Sequence, residues 1–301
     1  MSATVALIGL GNMGTPMARR LVDAGSSVRG HDLSEVARER LRDGGGIPTA
    51  TAADAAAGAN AVILMLPSSV VVDAVVDDLL AAGAIGTDAL LVDMSSSEPA
   101  RTQALAVRVE AAGVAFADAP VSGGVRGAER GALTIMLGAR DRDRERAHAL
   151  LAPLGRVVDC GDVGAGHAVK ALNNLLSATH LWATGEAIEA GRRFGLDPAV
   201  VIDVVNGSSG RSGSTEVKWP TYVLPGTFDS GFALRLMLKD MRIAASLADG
   251  VGMPSPLADL AISLWSEAAD ALPADADHTR VAEWIAARGD AAGPGDEARD
   301  G

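Results

Sequence analysis

The sequence predicts an α/β chain in which an N-terminal doubly wound parallel sheet is followed by an all-α C-terminal domain. Short apolar runs alternate with helix-period stretches from residue 4 to about 160, which implies parallel strands with helices on both faces. A glycine-rich turn, GLGNMG, links the first apolar run to the first helical stretch. Beyond about residue 164 strand signals vanish and apolar residues recur at helical spacing.

Taken in order, strand TVALIG leads into helix NMGTPMARRLVDAG, and strand SVRGHD into helix LSEVARERLRDGG. The alternation continues through NAVILML, SSVVVDAVVDDLLAAG, ALLVDM and EPARTQALAVRVEAAG, and then VAFADAP, ALTIMLGA and GRVVDCG extend the sheet. The run GHAVKALNNLLSATHLWATGEAIEAGRRFG holds helical spacing for roughly seven turns before Gly195 and Pro198 punctuate it. Further helices are expected at DPAVVIDVVNG, ALRLMLKDMRIAASLADG, SPLADLAISLWSEAA and HTRVAEWIAAR. Segment 207–232, rich in Gly, Ser and Pro, is expected to be loops, and 289–301 a disordered tail. The resulting boundaries are 1–163 for the α/β domain that carries GLGNMG and 164–288 for the all-α domain.

With 301 residues, 48% of them hydrophobic, the chain can bury the core of two domains. No apolar run approaches the roughly 20 residues that span a bilayer, and MSATVALIGLGNMG opens as strand and turn instead of a leader. The expectation is a cytoplasmic protein. The single cysteine, Cys160, excludes an intrachain disulfide and reads as a small core residue at a strand end. His31, His148, His167, His180 and His278 have no metal-ligand spacing, so no metal is expected. A net charge of −12 disfavours nucleic acid and anionic membrane, and an anionic small substrate would need local Lys or Arg.

In GLGNMG, Gly9 permits the tight turn, Gly11 lets backbone approach a pyrophosphate and Gly14 permits close helix packing, a Rossmann-type arrangement with Leu10, Asn12 and Met13 between them. Asp32, at the end of the second strand, suits ribose hydroxyls and predicts NAD ahead of NADP. Leu33 offers no cation to a 2′-phosphate, although Arg29 or Arg38 could reach round. Ser122, Gly123 and Gly124 follow a strand and form either an anion-binding corner or a structural turn. Lys170 and Asn174, four apart, would share one helix face. A lone lysine there is ordinarily a snorkelling surface residue, but the neighbouring Asn173 and Asn174 are poor helix formers and invite another explanation. Lys239-Asp240 reads as an exposed ion pair or as a cofactor contact.

Together the blocks GLGNMGTPMARRL, DAPVSGGVRGAERGAL, GAGHAVKALNNLL and LMLKDMRIA, with DMSSSEPA between the first two, resemble the β-hydroxyacid dehydrogenase family in its 3-hydroxyisobutyrate dehydrogenase-like branch. The resemblance runs from about residue 3 to residue 288. It implies that Lys170 is the catalytic lysine and Asn174 its partner on substrate, and that Ser122, Gly123 and Gly124 hold a carboxylate. It further implies that Leu66, Pro67 and Ser96 line the cofactor, Lys239 closes over it and Asp240 lies beside substrate. Ser96 stands where many relatives keep threonine, so the hydroxyl is retained.

The implied reaction is NAD-dependent oxidation of a small 3-hydroxy acid, 3-hydroxyisobutyrate, a close analogue or L-serine, to the semialdehyde. Lys170 would give the proton in reduction and accept it in oxidation, the latter requiring a lysine pKa lowered by desolvation. Competing readings are an NADPH-dependent aldehyde-acid reductase, opposed by Asp32 and Leu33, and an imine reductase, opposed by Lys170. A non-catalytic binding module would be expected to lose Lys170, and the helical half is too short for the enlarged domain of 6-phosphogluconate dehydrogenase. Arg211, Lys218, Trp219 and Tyr222 are candidate substrate contacts in 207–232, against the plainer reading of a solvated loop. Apolar helix faces predict a homo-oligomer.

Overall fold

The run TVALI forms strand β1 (Thr4–Ile8), and its Val5 and Leu7 face one core while Ala6 and Ile8 face the other. The structure, a computed structural model, describes residues 3–291. It divides into two units, Met1–Ala171 and Leu172–Gly301.

In the first unit, β1, β2 (Ser27–His31), β3 (Ile47–Pro48), β4 (Ala61–Leu64), β5 (Leu90–Asp93) and β6 (Ala115–Asp118) run parallel in the order β3-β2-β1-β4-β5-β6. The connecting helices are α1 (Gly14–Asp23), α2 (Glu35–Asp43), α3 (Ala52–Ala56), α4 (Ser69–Ala81) and α5 (Pro99–Ala111). Every residue of β4 and β5 is buried, as strands covered on both faces must be. The order reverses between β1 and β4, and ligands of open α/β sheets bind beyond the strand ends at such a switch point. Side-chain caps fix the helix starts: Ser34 accepts from Ala37 N, Ser68 from Val71 N, and Thr51 with Asp54 forms a capping box.

The sheet is extended by β7 (Val121–Ser122) and β8 (Leu133–Ala139), which pair antiparallel, and by β9 (Gly155–Gly161), parallel to β8. Between them lie α6 (Gly124–Arg130) and α7 (Asp141–Leu151). Cys160 was expected in the core but is half-buried on β9, because that strand has no fully buried residue. Burial and the Asp118 and Asp159 charges push its thiol pKa up. β3 escaped the sequence reading because it is two residues long and contains an edge proline.

Helix α8 (Ala165–Phe194) begins in the first unit and continues into the second. The second unit adds α9 (Pro198–Asn206), α10 (Leu234–Gly250), α11 (Pro256–Ala271) and α12 (Val281–Ala291) around a core holding Trp182, Trp219, Leu238, Met241 and Trp265. The expectation of loops over 207–232 is corrected: Ser214–Val223 is a π-helical segment with Pro220 inside it. Leu224 N bonds Trp219 O, five residues back, at 2.9 Å. The wider turn relieves the clash that Pro makes in an α-helix, and Trp219, 6% exposed, anchors the segment in the core. Of the expected tail, 289–291 complete α12 and 292–301 lie outside the described residues. Among the described residues no helix is long and apolar enough to cross a membrane.

Asp277 ties the chain before α10 to the chain before α12. Its carboxylate accepts from Ser230 Oγ (2.7 Å), Gly231 N (2.9 Å), Phe232 N (3.3 Å), Thr279 N (2.9 Å) and Thr279 Oγ1 (2.6 Å). Burial alone would raise its pKa, but hydrogen bonds from His278, Thr279 and Ser230 outweigh burial and hold it well below the usual carboxylate range. A depressed folded-state pKa stabilises above the unfolded value and is lost as pH falls. Asp277→Asn should therefore cost about 2 kcal/mol in urea unfolding at neutral pH. The gap from wild type should begin to close below about pH 4, and a gap that persists unchanged into stronger acid would contradict this account.

Candidate active site

At the β1–α1 turn, Gly9 adopts φ +95°, and a Cβ there would strike the Met65 carbonyl; one on Gly14 would strike the Gly9 carbonyl. Gly11 differs, since a Cβ would meet nothing within 4 Å. Helix α1 starts without a capping side chain and without an acidic residue in its first turn, so its N-terminal amides offer a site for an anion. This cradle fits a dinucleotide pyrophosphate. Leu10 is fully buried in the core, which leaves its backbone for any ligand, whereas Asn12 is exposed and Met13 half-buried.

Asp32 Oδ2 accepts from Leu10 N at 2.7 Å and Oδ1 from Ser34 N at 2.8 Å. Arg38 donates from Nη1 to the carbonyls of Asp32 and Leu33, while Arg29 is turned to the Ala57 carbonyl. Beyond β4, Leu66 N donates to Ser95 Oγ at 2.9 Å; Leu66 and Ser96 are half-buried and Pro67 is exposed. Ser122 pairs with Thr134 at the end of β7, half-buried, and the exposed Gly123 (φ 127°) and Gly124 (φ 60°) turn the chain into α6.

Lys170 and Asn174 lie one turn apart on α8, 9% and 4% exposed. Asn174 Nδ2 donates to Asp240 Oδ2 at 2.6 Å, and Asn173 Nδ2 donates to Asn174 Oδ1 at 3.1 Å. Lys239 Nζ lies 3.0 Å from Asp240 Oδ1. Asn174, Lys239 and Asp240 thus form one network. The exposed ion pair considered for Lys239-Asp240 is ruled out, since Asp240 is 1% exposed and a buried carboxylate requires such partners.

Of the candidates in 207–232, Trp219 belongs to the core, Arg211 lies 3.7 Å from Glu216, Lys218 donates to Ser177 Oγ at 2.6 Å and Tyr222 is half-buried. A buried polar group that sequence reasoning missed, Asp93, Ser95, Ser97, Thr102, Asp118 and His167, lies at the start of α8. The available signal was an aspartate closing each of two apolar strands, LLVD and AFAD.

A glycine cradle at an uncapped helix start, on a sheet ordered 3-2-1-4-5-6, defines a dinucleotide-binding protein. Residues 4–164 match a family profile described as the NAD binding domain of 6-phosphogluconate dehydrogenase. Residues 164–285 match one described as "NAD-binding of NADP-dependent 3-hydroxyisobutyrate dehydrogenase". The human mitochondrial 3-hydroxyisobutyrate dehydrogenase is 37% identical over 272 residues, 87% of this chain and 80% of that protein. The 2-(hydroxymethyl)glutarate dehydrogenase of Eubacterium barkeri is 35% identical over 268 residues, 88% of each chain. A solved structure of Mycobacterium tuberculosis 3-hydroxyisobutyrate dehydrogenase with L-serine matches with a TM-score of 0.88 at 33% identity, over 95% of this chain and 99% of that one. The chain belongs to the 3-hydroxyisobutyrate dehydrogenase-like β-hydroxyacid dehydrogenase family, and is an NAD(P)-dependent dehydrogenase acting on a CH–OH group.

The expected preference for NAD over NADP is corrected by the profile over 164–285, whose description specifies NADP dependence. Asp32 is in place for a ribose, but Arg38 brings a guanidinium to the same turn, a cation of the kind a 2′-phosphate requires.

Asn174→Ala removes a donor from a buried carboxylate and should cost about 2 kcal/mol in chemical denaturation. Asn174→Asp, which sets a second charge against Asp240, should cost more. Negligible losses in both variants would show that Asp240 does not depend on Asn174.

Proposed function

We propose that the protein oxidises the hydroxyl of a small 3-hydroxy acid of the 3-hydroxyisobutyrate type to the semialdehyde, with Lys170 moving the proton at the reacting oxygen. The observation that carries this is a lysine 9% exposed, one helical turn from a buried asparagine, in a chain of this family. As an ammonium Lys170 donates to the developing alkoxide in reduction, and in its neutral form it accepts the hydroxyl proton in oxidation. The bound nicotinamide nucleotide supplies the hydride acceptor or donor. Ser122, Gly123 and Gly124 receive the substrate carboxylate, and Asn174 and Asp240 hold the substrate through their shared network.

Gly9, Gly11 and Gly14, with the backbone of Leu10, Asn12 and Met13, hold the nucleotide pyrophosphate at the start of α1, and Asp32 meets the ribose. Leu66, Pro67, Ser96 and Lys239 complete the nucleotide contacts. The working nucleotide in this reading is NADP, with Arg38 meeting the 2′-phosphate. The protein acts in the cytoplasm as a homo-oligomer. Exposed Leu176, Phe194, Val200, Val204, Leu257 and Leu260 in the second unit support the association, since apolar surface of that extent favours burial.

The test is initial-rate reduction of nucleotide across 3-hydroxyisobutyrate, L-serine and 2-(hydroxymethyl)glutarate. Lys170→Ala should lower kcat by about 100-fold or more while nucleotide still binds; full activity in the variant would remove Lys170 from the chemistry. Turnover of imines or aldehyde acids with silence on every hydroxy acid would move the assignment to a reductase. Arg38→Ala should raise KM for NADP by about tenfold and leave that for NAD nearly unchanged. Equal effects on the two nucleotides would sink the assigned 2′-phosphate contact.

A further inference from the structure

Strands β5 and β6 each end in an aspartate, and the first turn of α8 sets a histidine between them. Asp93, Asp118 and His167 are each 1% exposed or less. Asp118 Oδ1 accepts from Gly164 N at 2.6 Å and Oδ2 from His167 N at 2.8 Å, so this side chain caps the start of α8 from the sheet. The fit is close: a Cβ on Gly138 or Gly166 would run into that carboxylate. Asp93 accepts from Ser95 N at 2.9 Å and Ser97 Oγ at 2.7 Å, and Ser95 Oγ in turn takes the Leu66 amide.

The ring of His167 lies within this frame. Nε2 is 3.0 Å from Ser95 O, a carbonyl that can only accept, so Nε2 carries a proton. Nδ1 is 2.8 Å from Thr102 Oγ1, whose hydroxyl also reaches Glu98 O at 3.0 Å. The ring is thus held at both nitrogens, Nε2 by a strand-end carbonyl and Nδ1 by a threonine of α5. The ring nitrogens lie 3.7 Å from Asp93 Oδ2 and 3.6 Å from Asp118 Oδ2. Carboxyl groups buried to this degree need polar partners, and the amides, the Ser97 hydroxyl and the ring together enclose both.

We infer that Asp93, His167 and Asp118 form a buried aspartate–histidine–aspartate triad that positions Lys170, three residues along α8 from His167, relative to the strand ends of the nucleotide-binding sheet. It acts through the helix and through Ser95, which joins the ring to the backbone of Leu66. The three side chains are positioning residues, and the inference rests on the reading of Lys170 as the proton carrier.

The test uses the full chain. Nitrogen-15 NMR of the histidine rings in the wild type should show the His167 Nε2 proton held by the Ser95 carbonyl; a ring without a proton on Nε2 overturns the triad. Asp118→Asn and Thr102→Val should lower kcat by about 10- to 100-fold, at unchanged nucleotide affinity and stoichiometry and with substrate KM little altered. The pH inflection of kcat should also move. Variants that bind nucleotide fully and retain wild-type kcat and pH profile overturn the positioning role, as do losses that merely track the folded fraction. Should Asp118→Asn fail to fold, the milder Thr102→Val and Ser97→Ala carry the comparison. Loss of activity in Lys170→Ala alongside intact triad variants defeats this inference alone, whereas an active Lys170→Ala defeats the reading beneath it.

Discussion

Two backbone amides that open a 30-residue helix end on one carboxylate, and much else in the first unit is arranged around that meeting. Asp118 has no exposed surface, and burial, set against His167 and the two amides, raises its pKa above the ordinary aspartate value. It is kept by a complete set of donors and by glycines at 138 and 166 that leave it room. A buried charge of this kind contributes little net stability, but removing a partner is costly, and so it specifies one arrangement against its neighbours. The helix start is therefore tied to the sheet by polar geometry, where an apolar contact would tolerate sliding.

The same economy of polar groups recurs at Asp240 and Asp277. Asp240 sits against Asn174 and Lys239, and Asp277 gathers donors from chain segments 45 or more residues apart as well as from its own turn. In each case a buried or nearly buried carboxylate replaces what would otherwise be several separate loop contacts. The apolar cores supply the driving force for burial, and these carboxylates decide the register in which the pieces meet.

Much of this was legible in the sequence. β4 and β5 are continuous apolar runs that only a doubly covered strand explains, and the glycine pattern at 9–14 carried its own structural context. The π-helical segment was hidden because Pro220 and its glycine-rich surroundings signal a loop, while its stability comes from Trp219, whose burial depends on distant helices. The triad was hidden for a related reason. Asp93, Asp118 and His167 are far apart in the chain, and single-sequence spacing registers neighbours along a helix or strand but not side chains joined by strand order. Asp32 misled in the opposite sense, since its position was legible but not the folding of Arg38 back onto its turn.

The three glycines of the first turn are constrained by different things. Gly9 and Gly14 are pressed by the chain's own carbonyls, so any side chain there is punished during folding whether or not a ligand is ever bound. Gly11 faces open space, and the polypeptide itself gives no reason for it to lack a side chain. In a lineage released from the need for a dinucleotide, Gly11 would drift first while its two neighbours stayed fixed. The identity of this one residue then serves as a record of whether the cradle is still in use, independent of whether the fold survives.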